Sequence, residues 1–393
     1  DWSSDVCSSD LDEHMLAPWM RRMEPFILVG PEGAGKQMLL SKLFSASRGT
    51  QVAMVHCSAQ TQAAHVIHKL SQACMMSQTQ HGRMYRPKDA QRLVLYRKDI
   101  NLPKPDKYET AELAAFLQQL VTYQGFYDKN LDFVGLKNIQ IVASMNPSTT
   151  VGRYALSTRF TANVRLAYMA YPEKEHLYSI YAGLVGAVLG SKCHGSPQWG
   201  GPAPARKLAA CMVDVYEQVR RKFSVDEQRH YLFTPRDLTQ WTVGLLRYEL
   251  MADGGNALLE IWSHEGSRQL RDRLVTSRDT GRFDGLVASA LRQHFDYAAA
   301  DGDEPVYTSL MLPASERVGA APERPLMLAR GALEEVHAVV RAGLTAYERE
   351  VKELNLTLFE EALQTIVRIE RVLSRPGGHL LLVGSSGVGR RSL

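Results

Sequence analysis

The residues Gly30, Pro31, Glu32, Gly33, Ala34, Gly35 and Lys36 have the spacing G-x-x-x-x-G-K, and Gln37 stands where a serine or threonine ordinarily follows. Glycines at this spacing let backbone N–H groups close around an oxyanion, a helix N-terminus adds partial positive charge, and Lys36 adds a full one. The chemistry this supports is binding of a nucleotide's phosphates. A glycine-rich turn is the bland reading of such a loop. Here the apolar run Phe26-Ile27-Leu28-Val29 precedes it and Met38-Leu39-Leu40 follows it, which predicts the buried strand and the helix that a phosphate loop requires. The Gln37 amide is bulkier than a hydroxyl and a poorer ligand for Mg²⁺.

Two further stretches carry polar groups at the ends of predicted strands. Arg92 to Asn101 reads R-L-V-L-Y-R-K-D-I-N and ends in Arg97-Lys98-Asp99. In phosphate-loop ATPases, carboxylates near this point help hold Mg²⁺ and activate water. Ile139 to Pro147 reads I-Q-I-V-A-S-M-N-P, which puts Asn146 where a γ-phosphate sensor or a water-positioning amide would sit, although Asn before Pro is also a plain turn signal. His56, Cys57, His65 and His68 lack the closed four-ligand spacing of a structural zinc site, so they read as surface or core residues.

The elements that must position these groups form an α/β pattern. Gln51 to Cys57 predicts a second strand and Thr61 to Met75 a helix, so strand, loop, helix and strand follow one another as in a parallel-sheet nucleotide domain. The full chain of 393 residues, 45% hydrophobic and 22% charged, is long enough for two or three domains. Lys+Arg 46 against Asp+Glu 42 leaves a net charge of +4, too slight and too dispersed to imply nucleic acid or an anionic membrane as partner. The five cysteines include no C-x-x-C, which argues against a disulfide framework or zinc ribbon and for a reducing, cytosolic setting. No apolar run approaches the ~18 residues that span a bilayer, so no membrane insertion is expected. The opening D-W-S-S-D-V-C-S-S-D-L shows neither a helical nor a strand period and resembles translated adapter sequence, which sets residues 1–14 apart as non-native.

Beyond Asn146, apolar residues spaced three and four apart predict helices over Arg206 to Phe223 and Pro235 to Leu250. His194 to Ala205 reads as a loop, Thr276 to Gly285 as a turn, and the Pro- and Gly-rich stretch Asp301 to Pro325 as a boundary. Helices are predicted over Ala332 to Val351 and Thr357 to Leu373, then a strand over His379 to Val383. A second phosphate loop, G-S-S-G-V-G-R-R, covers Gly384 to Arg391. Its lysine and hydroxyl positions are Arg390 and Arg391, and a planar guanidinium is a poor substitute for a point-charge ammonium inside such a loop.

Several long motifs occur in order: D-I-N-L-P-K-P-D-K-Y (Asp99 to Tyr108), F-L-Q-Q-L-V-T-Y-Q-G-F-Y (Phe116 to Tyr127), G-R-Y-A-L-S-T-R-F (Gly152 to Phe160), Y-L-F-T-P-R-D-L-T-Q-W (Tyr231 to Trp241) and I-E-R-V-L (Ile369 to Leu373). From about Met15 onward the chain resembles the dynein heavy-chain family, and within it the third AAA+ module running into the fourth in the intraflagellar-transport branch. The resemblance implies a large α/β subdomain over residues 15–170, a helical small subdomain over 171–300, a linker over 301–330 and the truncated start of the next module over 331–393. It implies ADP or ATP on Gly30 to Gln37, with Lys36 on the β-phosphate, Asn146 as first sensor and Arg236 as second sensor. Arg159 would be an arginine finger toward the preceding module. The parent would be an ATP-driven, minus-end-directed microtubule motor of cytoplasm and cilium. Its expected partners are neighbouring AAA+ modules, microtubules, and dynein light or intermediate chains.

The departures from that pattern bear on hydrolysis. The anchor I-N-L-P places Lys98-Asp99 where active relatives have Asp-Glu, so a metal-holding carboxylate has become a cation. A unit charge pair near 4 Å is worth about 4 kcal/mol at an effective dielectric of 20. Asp99 is one methylene shorter than the glutamate it stands for, and a shift of roughly 1 Å can cost about a hundredfold in rate. Weak or no hydrolysis is expected, with Mg²⁺ in question. The alternative is a catalytically active module, of a dynein or another AAA+ ring protein, in which Asp99 serves as the base.

Overall fold

The computed structural model describes residues 8–80, 82–108, 110–194, 196–250, 257–298, 306–313, 324–351, 353, 356–384, 387 and 389. The chain divides into two compact units, Asp1–His176 and Leu177–Leu393.

In chain order the first unit contains α1 (Ser8–Arg22), β1 (Phe26–Val29), α2 (Lys36–Ala46), β2 (Thr50–His56), α3 (Ala63–Ala73), β3 (Cys74–Thr79), β4 (Gly82–Pro87) and β5 (Arg92–Lys98). It continues through α4 (Glu112–Tyr123), β6 (Gly125–Tyr127), β7 (Phe133–Leu136), β8 (Ile139–Met145), α5 (Thr158–Thr161) and β9 (Arg165–Tyr168). Five strands form one parallel sheet in the order β2-β5-β8-β1-β9. This is the parallel sheet flanked by helices expected of a phosphate-loop AAA+ module.

Both faces of this sheet are covered, which is why its central strands read as unbroken apolar runs. Alternation sorts each run into two layers. Ile27, Leu93, Leu95, Ile141 and Ala143 face one core with Val66 and Leu70 of α3 and Leu113, Leu117 and Leu120 of α4. Phe26, Leu28, Val94, Tyr96 and Val142 face the other, with Leu39, Leu40 and Leu43 of α2 and Leu16 and Met20 of α1. The register sets Phe26 beside Val142 and Arg165, and Arg97 and Lys98 beside Ala143 and Ser144, so β1, β5 and β8 end at one edge.

Several local expectations need correcting. The opening residues lack an apolar period, yet Ser8 already belongs to α1, because the helix is held from its far end by buried Leu16 and Met20. The helix expected over Thr61 to Met75 stops at Ala73, where the chain passes straight into β3. That strand belongs to a second sheet, in the order β3-β4-β7-β6, which sequence reading did not anticipate. It is built of short strands, from which Cys74, Tyr85, Phe126 and Val134 are buried in the core beside α4 and Leu136 packs against it.

The second unit is helical: α6 (Lys174–Lys192), α7 (Pro202–Lys222), α8 (Pro235–Gly244), α9 (Ala257–Leu270) and α10 (Ser277–Phe295), then β10 (Val306–Thr308), β11 (Ala329–Gly331), α12 (Leu333–Glu350) and α13 (Glu360–Leu373). Leu208, Met212, Val215 and Val219 of α7 and Leu238 and Trp241 of α8 bury as their spacing predicts. The turn expected over Thr276 to Gly285 is instead the start of α10. Thr276 caps it by accepting from the Asp279 N–H, and Phe283, Leu286, Val287, Ala290 and Leu291 form a buried stripe that outweighs the helix-weakening glycines. No strand forms over His379 to Val383: an apolar run becomes a parallel strand only beside a partner, and here Leu381 and Val383 lie exposed. The second phosphate loop falls largely outside the described residues. Among described residues no helix is long and apolar enough to cross a membrane.

A buried polar network joins α9 to α13. Arg371 donates to Glu265 Oε1 while the Tyr248 hydroxyl donates to Glu265 Oε2 at 2.7 Å. Arg247 donates to the Arg371 carbonyl at 2.8 Å, to the Leu326 carbonyl at 2.9 Å and to Ser374 Oγ at 2.6 Å. Burial opposes the Arg371 charge, but Glu265 and Tyr248 hold its guanidinium above the ordinary range. Burial and the Arg371 charge pull Arg247 down to about 10. Replacing Arg371 by Leu leaves Glu265 buried without its counter-charge, so a destabilisation of about 3–5 kcal/mol is expected in chemical denaturation. Adding Glu265→Leu should recover much of that loss, and failure to recover any would mean the pair is not the source of the stability.

His264 packs against Tyr248 and Tyr307, with ring centroids at 6.4 and 4.9 Å. Burial, followed by the charges of Arg268, Arg371 and Arg368, holds its imidazole well below the ordinary histidine range. Below about pH 6.5 the unfolded chain therefore binds a proton that the folded chain refuses. Stability should fall by up to about 1.4 kcal/mol per pH unit as pH drops through that window, and full stability returns above it. Denaturation midpoints at pH 7.5 and 5.5 should diverge less in His264→Gln than in the parent; equal divergence would remove His264 as the cause.

Candidate nucleotide site

β1 lies between β8 and β9, while the chain leaves it for β2 at the opposite edge. The sheet's topological switch point therefore lies at the carboxyl end of β1, where open α/β sheets place ligands. Gly30 to Gly35 fill this position and run directly into α2. Gly33 and Gly35 have φ of +75° and +92°, a region that side chains disfavour and that turns the loop into the helix. At Gly30 a Cβ would stand 2.4 Å from the Met169 carbonyl oxygen, because the loop's start presses against the end of β9. The first N–H groups of α2 have no intrahelical partners and remain available to an anion.

Lys36 Nζ donates to the carbonyls of Gly30 at 2.5 Å and Pro31 at 2.7 Å, and to Asn146 Oδ1 at 2.8 Å. A phosphate oxygen at this ammonium competes with those three acceptors. Asn146 Nδ2 in turn donates to Glu32 Oε1 at 2.9 Å, and the Tyr171 hydroxyl donates to the Glu32 carbonyl at 2.5 Å. Ala34 is buried beneath the loop. The residues Gly30 to Gln37 and Asn146 thus come together as one cluster.

The ends of β5 and β8 are tied by Asn101, whose buried side chain donates to the Asn146 carbonyl at 2.8 Å. Its own carbonyl accepts from the Tyr154 N–H at 3.0 Å, which folds the segment after β8 back toward β5. Lys98 Nζ donates to Gln37 Oε1 at 2.9 Å. The two positions that would hold Mg²⁺ are therefore occupied by a cation and an amide bonded to each other. A hard divalent ion prefers anionic oxygens, so this pair does not fit it. Arg97, one residue earlier, is 0% exposed, and none of its guanidinium nitrogens has a hydrogen-bond partner. Burial lowers its pKa. Lys36, Arg97, Lys98 and Arg153 outnumber the carboxylates of Glu32 and Asp99 along this edge, which favours polyanions without help from a metal.

Asp99 takes a left-handed conformation with φ of +59°, which aspartate tolerates better than most residues. Its carboxylate lies 3.4 Å from Arg153 Nη2, and the same nitrogen is 3.6 Å from Glu32 Oε1. In the sequence Arg153 stands out only as part of the motif G-R-Y-A-L-S-T-R-F. Asp99 and Arg153 are brought together by the Asn101 tie, a signal carried by backbone geometry rather than spacing.

The two arginines expected to act at nucleotides lie on helices α5 and α8. Arg159 is exposed on the short helix α5 and takes no part in the cluster. Arg236 is exposed in the first turn of α8, in the second unit, where Asp237 accepts from the Thr234 N–H at 2.7 Å and fixes the helix start. His65 Nδ1 accepts from the Gln62 N–H at 3.1 Å as part of a helix cap, and His68 bonds Gln72, so both histidines have local structural partners.

Three family descriptions match the chain: "P-loop containing dynein motor region" over residues 12–172, "Dynein heavy chain, ATPase lid domain" over 188–280, and "P-loop containing dynein motor region D4" over 354–393. The proteins named cytoplasmic dynein 2 heavy chain 1 from Rattus norvegicus and Homo sapiens are each 47% identical over 388 residues, covering 96% of this chain and 9% of the relative. The protein of that name from Chlamydomonas reinhardtii is 45% identical over 381 residues, covering 96% of this chain and 8% of the relative. This chain therefore spans less than a tenth of the length of those relatives. A phosphate loop at the switch point of a parallel sheet, followed in order by matches to the dynein lid and the D4 motor region, leads to one conclusion: the chain belongs to the dynein heavy-chain family and lies in its AAA+ motor region.

Proposed function

We propose that this chain is the third AAA+ module of a cytoplasmic dynein 2 type heavy chain, running into the fourth, and that its first phosphate loop holds ADP or ATP with weak or no hydrolysis. In this reading residues 15–170 are the large subdomain, 171–300 the small one, 301–330 a linker and 331–393 the start of the next module. The nucleotide clamps the two subdomains, with Arg236 contributing from the small one and Asn146 from the large. Arg159 serves the preceding module. The parent heavy chain is an ATP-driven, minus-end-directed microtubule motor that carries retrograde intraflagellar traffic in cilia. It works with neighbouring AAA+ modules, microtubules, and dynein light or intermediate chains, in the cytoplasm and on the ciliary cytoskeleton.

The observation that carries the reading is the 2.9 Å bond from Lys98 to Gln37. As an exposed hydrogen bond it adds little stability; its weight is positional, because it closes the place where a divalent ion would bridge protein and phosphates. Lys36, the α2 N-terminus and Asn146 would hold the phosphates, and Lys98 would supply charge at the metal position. Bound nucleotide supplies the anion that draws these groups together.

The test is made in the complete heavy chain, where the nucleotide released on denaturation is quantified and the deficit in Lys36→Ala assigns the share held by this site. A deficit near one ADP or ATP per chain is expected, and it should persist after EDTA treatment. No deficit in a folded heavy chain would leave the module as scaffold, and a deficit abolished by EDTA would overturn the charge-replacement part. Restoring the metal positions with Gln37→Thr and Lys98→Asp together should make retention EDTA-sensitive. Turnover assigned to this site should not change in Asp99→Asn; a large drop would favour an active ATPase with Asp99 as base.

A further inference from the structure

Arg153, like Arg97, is a cation of the cluster with no assigned role. Its side chain is only 12% exposed, and Nη1 is buried without a hydrogen-bond partner. Nη2 stands between Asp99 and Glu32 at 3.4 and 3.6 Å, close enough for charge attraction but beyond the 2.7–2.9 Å of a strong charge-assisted hydrogen bond. A guanidinium carries its donors in a rigid planar fork that matches phosphate oxygens. Here such a fork, with donors still unmet, is anchored by the Asn101 tie next to a phosphate-loop residue.

We propose that Arg153 is a nucleotide-positioning residue of this site, the donor that takes the terminal phosphate of a nucleoside triphosphate in competition with Glu32 and Asp99. The inference rests on the reading of this loop as a nucleotide site and adds a means of telling triphosphate from diphosphate. Asp99 and Glu32 hold the guanidinium over the loop's edge, yet both sit too far from it to saturate its donors. A terminal phosphate offers several oxygens to the same fork. Because Glu32 also accepts from Asn146, it couples the sensor position to Arg153 through one carboxylate. Glu32 therefore acts against nucleotide, and Arg153 acts for it.

This opposition makes the proposal testable. In the complete heavy chain, ATP and ADP dissociation constants at this site are obtained by difference from Lys36→Ala, using radiolabelled nucleotides. Arg153→Ala should weaken ATP about tenfold and ADP much less, in line with the loss of one charge-assisted bond. Arg153→Lys should recover part of that loss. Glu32→Gln, which keeps an acceptor for Asn146 but removes the competing charge, should tighten ATP. Arg153→Ala with ATP affinity unchanged, or with ATP and ADP weakened equally, would overturn the proposal while leaving the nucleotide reading intact. Weaker ATP binding in Glu32→Gln would also overturn it, because a merely structural network loses affinity from either side. No difference between the parent and Lys36→Ala would remove both the proposal and the reading beneath it.

Discussion

A parallel sheet needs cover on both faces, because its strands are joined by crossovers and each strand sends side chains to both sides. In this chain that constraint sorts β1, β5 and β8 into two buried layers and gathers the polar cluster at their carboxyl ends. The arrangement at the phosphate-loop edge follows from the register. Because Lys98 pairs with Ser144, the ends of β5 and β8 are level, and Asn101 can bridge to the Asn146 carbonyl. Without that level edge, Asn146 could not meet Lys36, nor Arg153 meet Asp99.

The parts of the fold that were legible in the sequence are those where local pattern and global burial agree. Phe26 to Val29, Arg92 to Lys98 and Ile139 to Met145 are apolar throughout their central residues because they are buried on both faces. The helices α7 and α8 have apolar stripes at helical spacing. The misreadings have physical causes. Gly281 and Gly285 suggest a turn by composition and each weakens a helix by about 1 kcal/mol relative to Ala, but the buried stripe of α10 decides. β9 escaped notice because most of R-L-A-Y is exposed at a sheet edge. His379 to Val383 has a strand's composition, yet hydrogen bonds to a neighbour, which composition cannot report, make a strand.

The site divides the same way. The phosphate loop and Asn146 follow strand ends that the pattern already marks, and Lys36 opens the helix that the pattern predicts after the loop. The departures Gln37 and Lys98 were legible too, but as separate losses of metal ligands. Only the fold shows that they answer one another, the cation donating to the amide across the gap between α2 and β5. Arg153 was hidden because its neighbours come from the loop after β1 and the end of β5, and a tie made by the backbone of Tyr154 leaves no trace in residue spacing.

The Glu265–Arg371 network has a mechanical consequence. A hydrophobic seam between helices can slide by small steps while keeping most of its contact, but a buried carboxylate and guanidinium cannot, since a shift of half a turn strands both charges. Helix α13 is therefore geared to α9, with Arg247 and Tyr248 acting as the teeth that hold the mesh. A rotation imposed on one shaft passes to the other without slack. Ten residues separate the end of α13 at Leu373 from Gly384, so that gearing brings a rotation of α9 to the start of the segment that leads toward Gly384.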